Sequence, residues 1–398
     1  MAFSANVEKI KPSATMAVSA LAKRLRAEGR DIVDLSAGEP DFDTPAFISE
    51  AAIAGIRAGR TRYTPATGMP ELRRAIARSL SSRASCDLDP EGVVVTSGAK
   101  QALFNACFCL FGPGDEVLIG APYWTSYPEI VTLARAEPVP VRGDEERDFR
   151  LTPADLERVR TPRTRGLIYS SPSNPCGTVY ALDEVRALIH WARDHDIWVI
   201  ADEIYRVINF TGEEGTPAAS VLELPAEALT RTVLVDGASK AFAMTGWRLG
   251  FSYCEPRVAK ELGALQSHVS SNAATPSQAG ALAAYTERAQ TEKAVREMVA
   301  AFRRRRDLVT RLFDELLPAF PYLQPMGAFY LFFRVGSVFS ADIPDSTAFC
   351  TWMIEETGVA LVPGSAFGDD RYVRMSYVAA DAVLEDGIRR LAGALARR

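Results

Sequence analysis

Three consecutive stretches between residues 166 and 201 decide the fold. Gly166-Leu-Ile-Tyr-Ser170 is a short apolar run, Leu182 to His195 carries apolar residues at 182, 185, 188, 189 and 192, and Ile197-Trp-Val-Ile-Ala201 is a second apolar run. The middle spacing is that of an amphipathic helix. The flanking runs have strand length and almost no polar alternation, as expected of strands covered on both faces. Working outward, Gly92-Val-Val-Val-Thr96 leads through a Gly turn into a buried helix from Lys100 to Leu110. Asp115-Glu-Val-Leu-Ile-Gly120 reads as a strand, Tyr127 to Arg135 as a helix and Thr232-Val-Leu-Val235 as another strand. Thr152-Pro-Ala-Asp155 supplies an N-cap, a proline at the first helical position and an acid at the third. From about residue 90 to 255 the chain therefore predicts an α/β fold with a mostly parallel sheet between helices.

The C-terminal part reads differently. Residues 290–316 form a long helical run containing Arg303-Arg-Arg-Arg306, expected to be a solvated face. Gly327-Ala-Phe-Tyr-Leu-Phe-Phe333 and Tyr372-Val-Arg-Met-Ser-Tyr377 supply strands, Phe329 being expected in the core, and Asp381 to Arg397 forms a closing helix. The segment around Lys11-Pro-Ser-Ala-Thr15 is too poor in apolar residues to be a domain and is expected as an arm on this smaller α+β unit. The expected division is 1–45 for the arm and part of the small domain, 46–290 for the large domain and 291–398 for the small domain.

Composition narrows the function classes. Forty-five Lys+Arg against fifty Asp+Glu give a net charge of −5 over 398 residues, which argues against a nucleic-acid partner. A hydrophobic share of 47% argues against disorder. No apolar run approaches the roughly 18 residues of a membrane helix, and the first ten residues lack a signal layout, so no membrane partner and a cytoplasmic location are expected. Six scattered cysteines without C-x-x-C and three histidines leave little from which to build a metal site, and none is expected. With seven lysines against thirty-eight arginines, a lysine inside a Gly-rich or apolar segment needs a reason.

Lys240 is such a lysine. It follows a strand and a small-residue turn in Val235-Asp-Gly-Ala-Ser-Lys240, with Arg248 eight positions later. It reads either as an exposed strand-end lysine or as an amine that forms a Schiff base with a carbonyl cofactor whose phosphate Arg248 clamps. Asp202, at the end of Ile200-Ala-Asp202-Glu-Ile-Tyr205, either caps a helix or occupies the strand-end position where open α/β sheets bind ligands. Asn174 lies in Ser170-Ser-Pro-Ser-Asn174-Pro175, another strand-end loop, where a cis Asn-Pro bond would present its amide. Thr96-Ser-Gly98-Ala99-Lys100 opens a helix whose N–H groups suit a phosphate.

Ser36-Ala-Gly-Glu-Pro-Asp-Phe-Asp43, Tyr63-Thr-Pro-Ala-Thr-Gly68, Ala121-Pro-Tyr-Trp124, Ser173-Asn-Pro-Cys-Gly177, Asp202-Glu-Ile-Tyr205, Ser239-Lys240 with Gly246-Trp-Arg248, and Val373-Arg374-Met-Ser-Tyr377 occur in order from about residue 10 to the C-terminus. Together they resemble the aspartate aminotransferase family, class I enzymes of fold type I that use pyridoxal 5′-phosphate (PLP). The resemblance implies a large PLP domain with a mostly parallel seven-stranded sheet, a smaller α+β domain and a homodimer with active sites at the subunit interface.

It also implies residue roles. Lys240 would be the Schiff-base lysine and proton shuttle, and Asp202 would pair with the pyridinium nitrogen. Tyr205 and Asn174 would face the ring oxygen, and Trp124 the ring. Arg248 with the amides of Gly98, Ala99 and Lys100 would hold the phosphate, Ser239 adjoining them, and Tyr63 would reach the partner's phosphate. Arg374 would fork the substrate α-carboxylate, assisted by Asn174, Trp124 and the backbone of Gly38. Many relatives carry paired glycines where this chain has Gly98-Ala99; Ala99 still offers its N–H unless positive φ is required.

Lys100 with Lys11, Ser13 and Thr15 resembles the branch in which this lysine and arm meet the distal carboxylate of a dicarboxylic substrate. The expectation is ping-pong transfer of an amino group between L-aspartate and 2-oxoglutarate. The alternatives are an aspartate/prephenate aminotransferase, an aromatic or alanine-type enzyme, and a C–S lyase on the same scaffold. A PLP-binding regulator would need a DNA-binding extension, for which no room is expected before residue 10.

Overall fold

The computed structural model describes residues 3, 5–10, 14–213 and 215–397. A two-residue strand β1 (Val33–Asp34) precedes a seven-stranded sheet made of β2 (Val93–Thr96), β3 (Glu116–Ala121), β4 (Glu137–Arg142), β5 (Thr164–Ser170), β6 (Trp198–Asp202), β7 (Thr232–Gly237) and β8 (Gly250–Tyr253). Its spatial order is β2-β8-β7-β6-β5-β3-β4. Neighbours are parallel except around β8, which runs antiparallel to both β2 and β7. The expected mostly parallel sheet is present.

Alternation along each strand feeds two apolar layers. Val93, Val95, Leu167, Val199, Ala201 and Leu234 enter one cluster, against the helices Pro70–Ser81 and Leu182–Asp194. Val94, Ile168, Ile200, Val233 and Val235 enter the other, against the helices Ala99–Leu110 and Pro256–Val269. A strand buried on both faces must be apolar at odd and even positions alike, which is why these runs lack alternation. Each such aliphatic side chain stabilises by roughly 1.5–3 kcal/mol relative to exposure. The capping box at Thr152 is formed, with Asp155 N–H donating to Thr152 Oγ1 at 3.3 Å and Thr152 N–H to Asp155 Oδ2 at 2.9 Å.

Two strands of the large sheet, β4 and β8, are not expected from the sequence. In β4, Glu-Pro-Val-Pro-Val-Arg, the prolines break the pattern of a central strand, but β4 pairs only with β3 at the sheet edge, where a missing N–H is tolerated. The other is β8, four residues long and begun by Gly250. A Cβ on that glycine would lie 2.3 Å from Ala99 N, so β8 and the start of the 99–110 helix approach at backbone distance.

Beyond the large sheet, β9 (Tyr322–Leu323), β10 (Tyr330–Arg334), β12 (Val362–Pro363) and β13 (Tyr372–Ser376) form an antiparallel sheet of order β12-β13-β10-β9, while β11 (Val359–Ala360) pairs in parallel with β1. The chain's beginning is thereby tied to its end. The helix Ala14–Ala27 adds to this, packing Ala22 and Leu25 against Ile354 and Ala360. Phe329 is fully buried in the same unit, as expected.

The arginine run departs from expectation. In the helix Arg288–Leu316, Arg304 is exposed, but Arg303 and Arg306 are half-buried and Arg305 is buried. Arg303 and Arg306 lie over Phe210, and Arg305 over Phe42 and Phe302. Four successive residues sweep the whole circumference of a helix, so they cannot share a solvated face. No helix among the described residues is long and apolar enough to cross a membrane, and none of them cluster as a metal site.

Candidate active site

The site lies at the strand ends where the large sheet meets the small unit. β6 ends on Asp202; its side chain falls on the same sheet face as Ile200, and Glu203 on the opposite one. Asp202 is buried, accepting from Tyr127 Oη at 2.7 Å and from Ile204 N–H at 3.2 Å. Burial raises its pKa to about 6 against these bonds. Glu203 instead accepts from Val221 N–H behind the sheet.

Lys240 sits in the short helix Ala238–Ala241 that follows β7, beside the buried Ser239. Burial lowers its pKa to about 8; Glu39 and Asp202 pull it up, while Arg374 and Arg248 push it down. Its Nζ donates to the carbonyl of Gly38 and lies 5.7 Å from the ring centres of Tyr205 and Phe329. Lys240 is half-buried among these groups, which argues against a solvated strand-end lysine.

Arg248 follows on a turn with φ +53° and places its guanidinium against Gly98. Gly98 has φ +82°, and a Cβ on it would stand 2.5 Å from Arg248 Nη2. Ala99 begins the helix Ala99–Leu110 and is not among the positive-φ residues, so the Gly-to-Ala departure costs no strain. A guanidinium thus meets the N-terminus of a twelve-residue helix, where free N–H groups and the helix dipole favour an anion. In that first turn Lys100 holds its amine 4.9 Å over the Trp124 ring; partial burial and then Arg248 lower its pKa.

Arg374, in β13, is fully buried. Its Nη1 donates to Asn174 Oδ1 at 3.0 Å and its Nη2 to the Ser36 carbonyl at 2.8 Å, while Nε has no partner. Among the described residues no carboxylate pairs with it. A buried cation so placed lacks the anion that would offset its desolvation. The Asn174-Pro175 bond is cis.

A profile described as "Aminotransferase class I and II" matches residues 30–392. The chain is 39% identical over 394 residues to an aspartate aminotransferase of Geobacillus stearothermophilus, with 98% of both chains covered. It is 41% identical over 399 residues to an aspartate/prephenate aminotransferase of Cereibacter sphaeroides, again with 98% of each covered. The solved aspartate aminotransferase of Thermus thermophilus with maleate superposes with a TM-score of 0.92 at 38% identity, covering 99% of each chain. The chain is a class I and II aminotransferase.

Aminotransferases of this family use PLP, and the residues here fit it. Gly98 leaves a cradle that a Cβ would fill, a cation and helix N–H groups border it, and a half-buried amine and a buried carboxylate stand at adjacent strand ends. The structure brings Lys240, Tyr205, Asn174, Arg374 and Gly38 into one connected set through Tyr330 and Ser36. Tyr63 stands apart, 88% exposed at the surface. Thr15 lies in the helix Ala14–Ala27, whereas Lys11 and Ser13 fall outside the described residues. Tyr127, Tyr330 and the Ser36 carbonyl were not anticipated. No local signal pointed to them, because each reaches its partner through sheet register or a loop crossing.

Proposed function

We propose that this aminotransferase transfers the amino group of L-aspartate to 2-oxoglutarate by a ping-pong route. The observation that carries the reading is the pair of separated cations, Arg374 buried with an unpartnered Nε and Lys100 over Trp124. A dicarboxylic amino acid needs one cation at each end. The names of similar relatives support the same substrate.

When bound, PLP supplies a carbonyl carbon that takes up the amino group and a ring that accepts electrons released at the substrate Cα. Lys240 Nζ, neutral above about pH 8, takes the Cα proton and returns it. Asp202 would hold a proton on the ring nitrogen, and Tyr127 fixes that carboxylate by its 2.7 Å bond. Arg374 presents a planar fork to the α-carboxylate, its Nη1 and Nη2 also bonded to Asn174 and the Ser36 carbonyl. Trp124 would cover the ring, Tyr205 and Asn174 would face its oxygen, and Arg248 with the N–H groups of Gly98, Ala99 and Lys100 would hold the phosphate, with Ser239 beside them.

The proposal includes a homodimer, supported by Tyr63, a large aromatic side chain left in solvent by one copy of the chain. It includes the three-part division at residues 45 and 290, supported by the β1–β11 pairing and the separate cores. A reducing, cytoplasmic setting is supported by six free cysteines. The test is kcat/KM for Asp, Glu, Phe and Ala with 2-oxoglutarate, and for glutamate with prephenate. Asp is expected to lead, and a tenfold lead for Phe or Ala would refute the assignment.

A further inference from the structure

Tyr330 opens β10, and its position follows from register. Tyr330 pairs with Ser376 and Phe332 with Arg374, so with a period of two Tyr330 and Arg374 project from the same face as diagonal neighbours. The Arg374 guanidinium carbon lies 4.3 Å from the Tyr330 ring centre, within the range of a stacked cation–π contact. The ring is completely buried, and its other neighbours are the rings of Tyr205 and Phe329. At its far end the hydroxyl meets the Tyr205 hydroxyl at 2.7 Å. Gly38, whose carbonyl receives Lys240, lies above that hydroxyl, so that a Cβ on residue 38 would be 3.5 Å from it.

From this geometry we infer that Tyr330 is a positioning residue that couples the two halves of the site: its ring sets the plane of Arg374 for the substrate carboxylate, and its hydroxyl fixes Tyr205 toward the cofactor. It rests on the proposed reading of Lys240 and Tyr205 as cofactor-facing groups. Arg374 has no acidic partner among the described residues, so the ring face supplies negative potential to a cation whose anion arrives only with substrate. Tyr205 makes its buried hydroxyl contact with Tyr330, and loss of that bond leaves the Tyr205 O–H free to turn.

The test uses the holoenzyme and two variants. Tyr330→Phe keeps the ring and removes the hydroxyl. Tyr330→Met removes both while filling the space with an adaptable side chain. Two readouts are independent of turnover: the pH midpoint of the holoenzyme's visible absorbance, and the dissociation constant of maleate, an unreactive dicarboxylate. The charged groups facing the hydroxyl pair, Arg374, Asp202 and Lys240, are unchanged in both variants. Tyr330→Phe is expected to shift the midpoint by about half to one pH unit, the equivalent of one hydrogen bond, with maleate binding within about twofold of wild type. Tyr330→Met is expected to weaken maleate about tenfold as well.

A lowered melting temperature with an unshifted midpoint in Tyr330→Phe would reduce Tyr330 to packing and overturn the inference. So would unchanged maleate binding in Tyr330→Met. Should Tyr330→Met not fold, the midpoint in Tyr330→Phe decides alone. Wild-type protein that acquires no visible band with PLP would instead defeat the cofactor reading itself.

Discussion

Arg305 grips Asp41 with two parallel hydrogen bonds, Nη1 to Oδ1 at 2.7 Å and Nη2 to Oδ2 at 2.8 Å. Asp41 belongs to the strap of residues 36–44 that crosses the site and offers the Ser36 carbonyl to Arg374 and the Gly38 carbonyl to Lys240. Thr245 holds the strap at Glu39, and Trp247 holds it at Thr44. Removing the fork in Arg305→Met is expected to loosen the strap by about 1–3 kcal/mol. The expected signature is a KM for aspartate raised about tenfold or more with the visible band retained. Arg305→Lys should recover little of the loss, because an ammonium cannot reproduce the two-bond fork.

Gly98→Ala should injure cofactor affinity more than folding. At φ +82° and ψ 160° Gly98 occupies a region essentially reserved for glycine, so an alanine there carries a penalty of about 1–3 kcal/mol. The added Cβ would also push away the end of the Arg248 side chain, which is mobile enough to yield. The displaced guanidinium no longer meets the phosphate, so PLP titration should show affinity reduced at least tenfold. Ala99→Gly, at a position that does not need positive φ, should bind PLP within about threefold of wild type.

Lys100 and Arg374 should fail differently. Lys100→Ser is expected to lower kcat/KM for Asp and Glu by about one to two decades and to leave Ala and Phe nearly untouched, because only the distal carboxylate loses its cation. Arg374→Lys should depress all four substrates together, by roughly 2–5 kcal/mol for a desolvated pair. Comparing the four substrates in each variant separates the two roles.

Reconstitution of the apoenzyme with PLP should depend on pH through two groups. Lys240 attacks only as the neutral amine, so the rate should rise with pH and level off above about 8, not near the 10.5 of a free lysine. Asp202 must be ionised to hold the ring-nitrogen proton, so affinity should fall as pH drops through about 6. Tyr127→Phe removes a bond that favours the ionised carboxylate, and it should move the lower transition upward.

Much of this was legible in the sequence because the chemistry is carried by strand-end loops. Lys240, Asp202, Asn174 and Arg374 each follow or occupy a recognisable apolar run. The large sheet announced itself because strands covered on both faces must be continuously apolar. What stayed hidden depends on long-range geometry. β4 was masked by prolines that only an edge position permits. Arg305 looked solvated because a run of four arginines hides which of them points inward. Tyr330 and Tyr127 acquire meaning only when β10 pairs with β13 and when Tyr127, at the start of the helix Tyr127–Leu133, reaches Asp202 at the end of β6.

The most direct test of the central claim separates the two half-reactions. Holoenzyme mixed with aspartate and no acceptor should lose its visible absorbance and release one oxaloacetate per active site. Adding 2-oxoglutarate should then restore the absorbance and release one glutamate, and Lys240→Ala should do neither. Continuous release of pyruvate or ammonia without an acceptor, or absorbance that responds to phenylalanine or alanine and not to aspartate, would contradict the assignment.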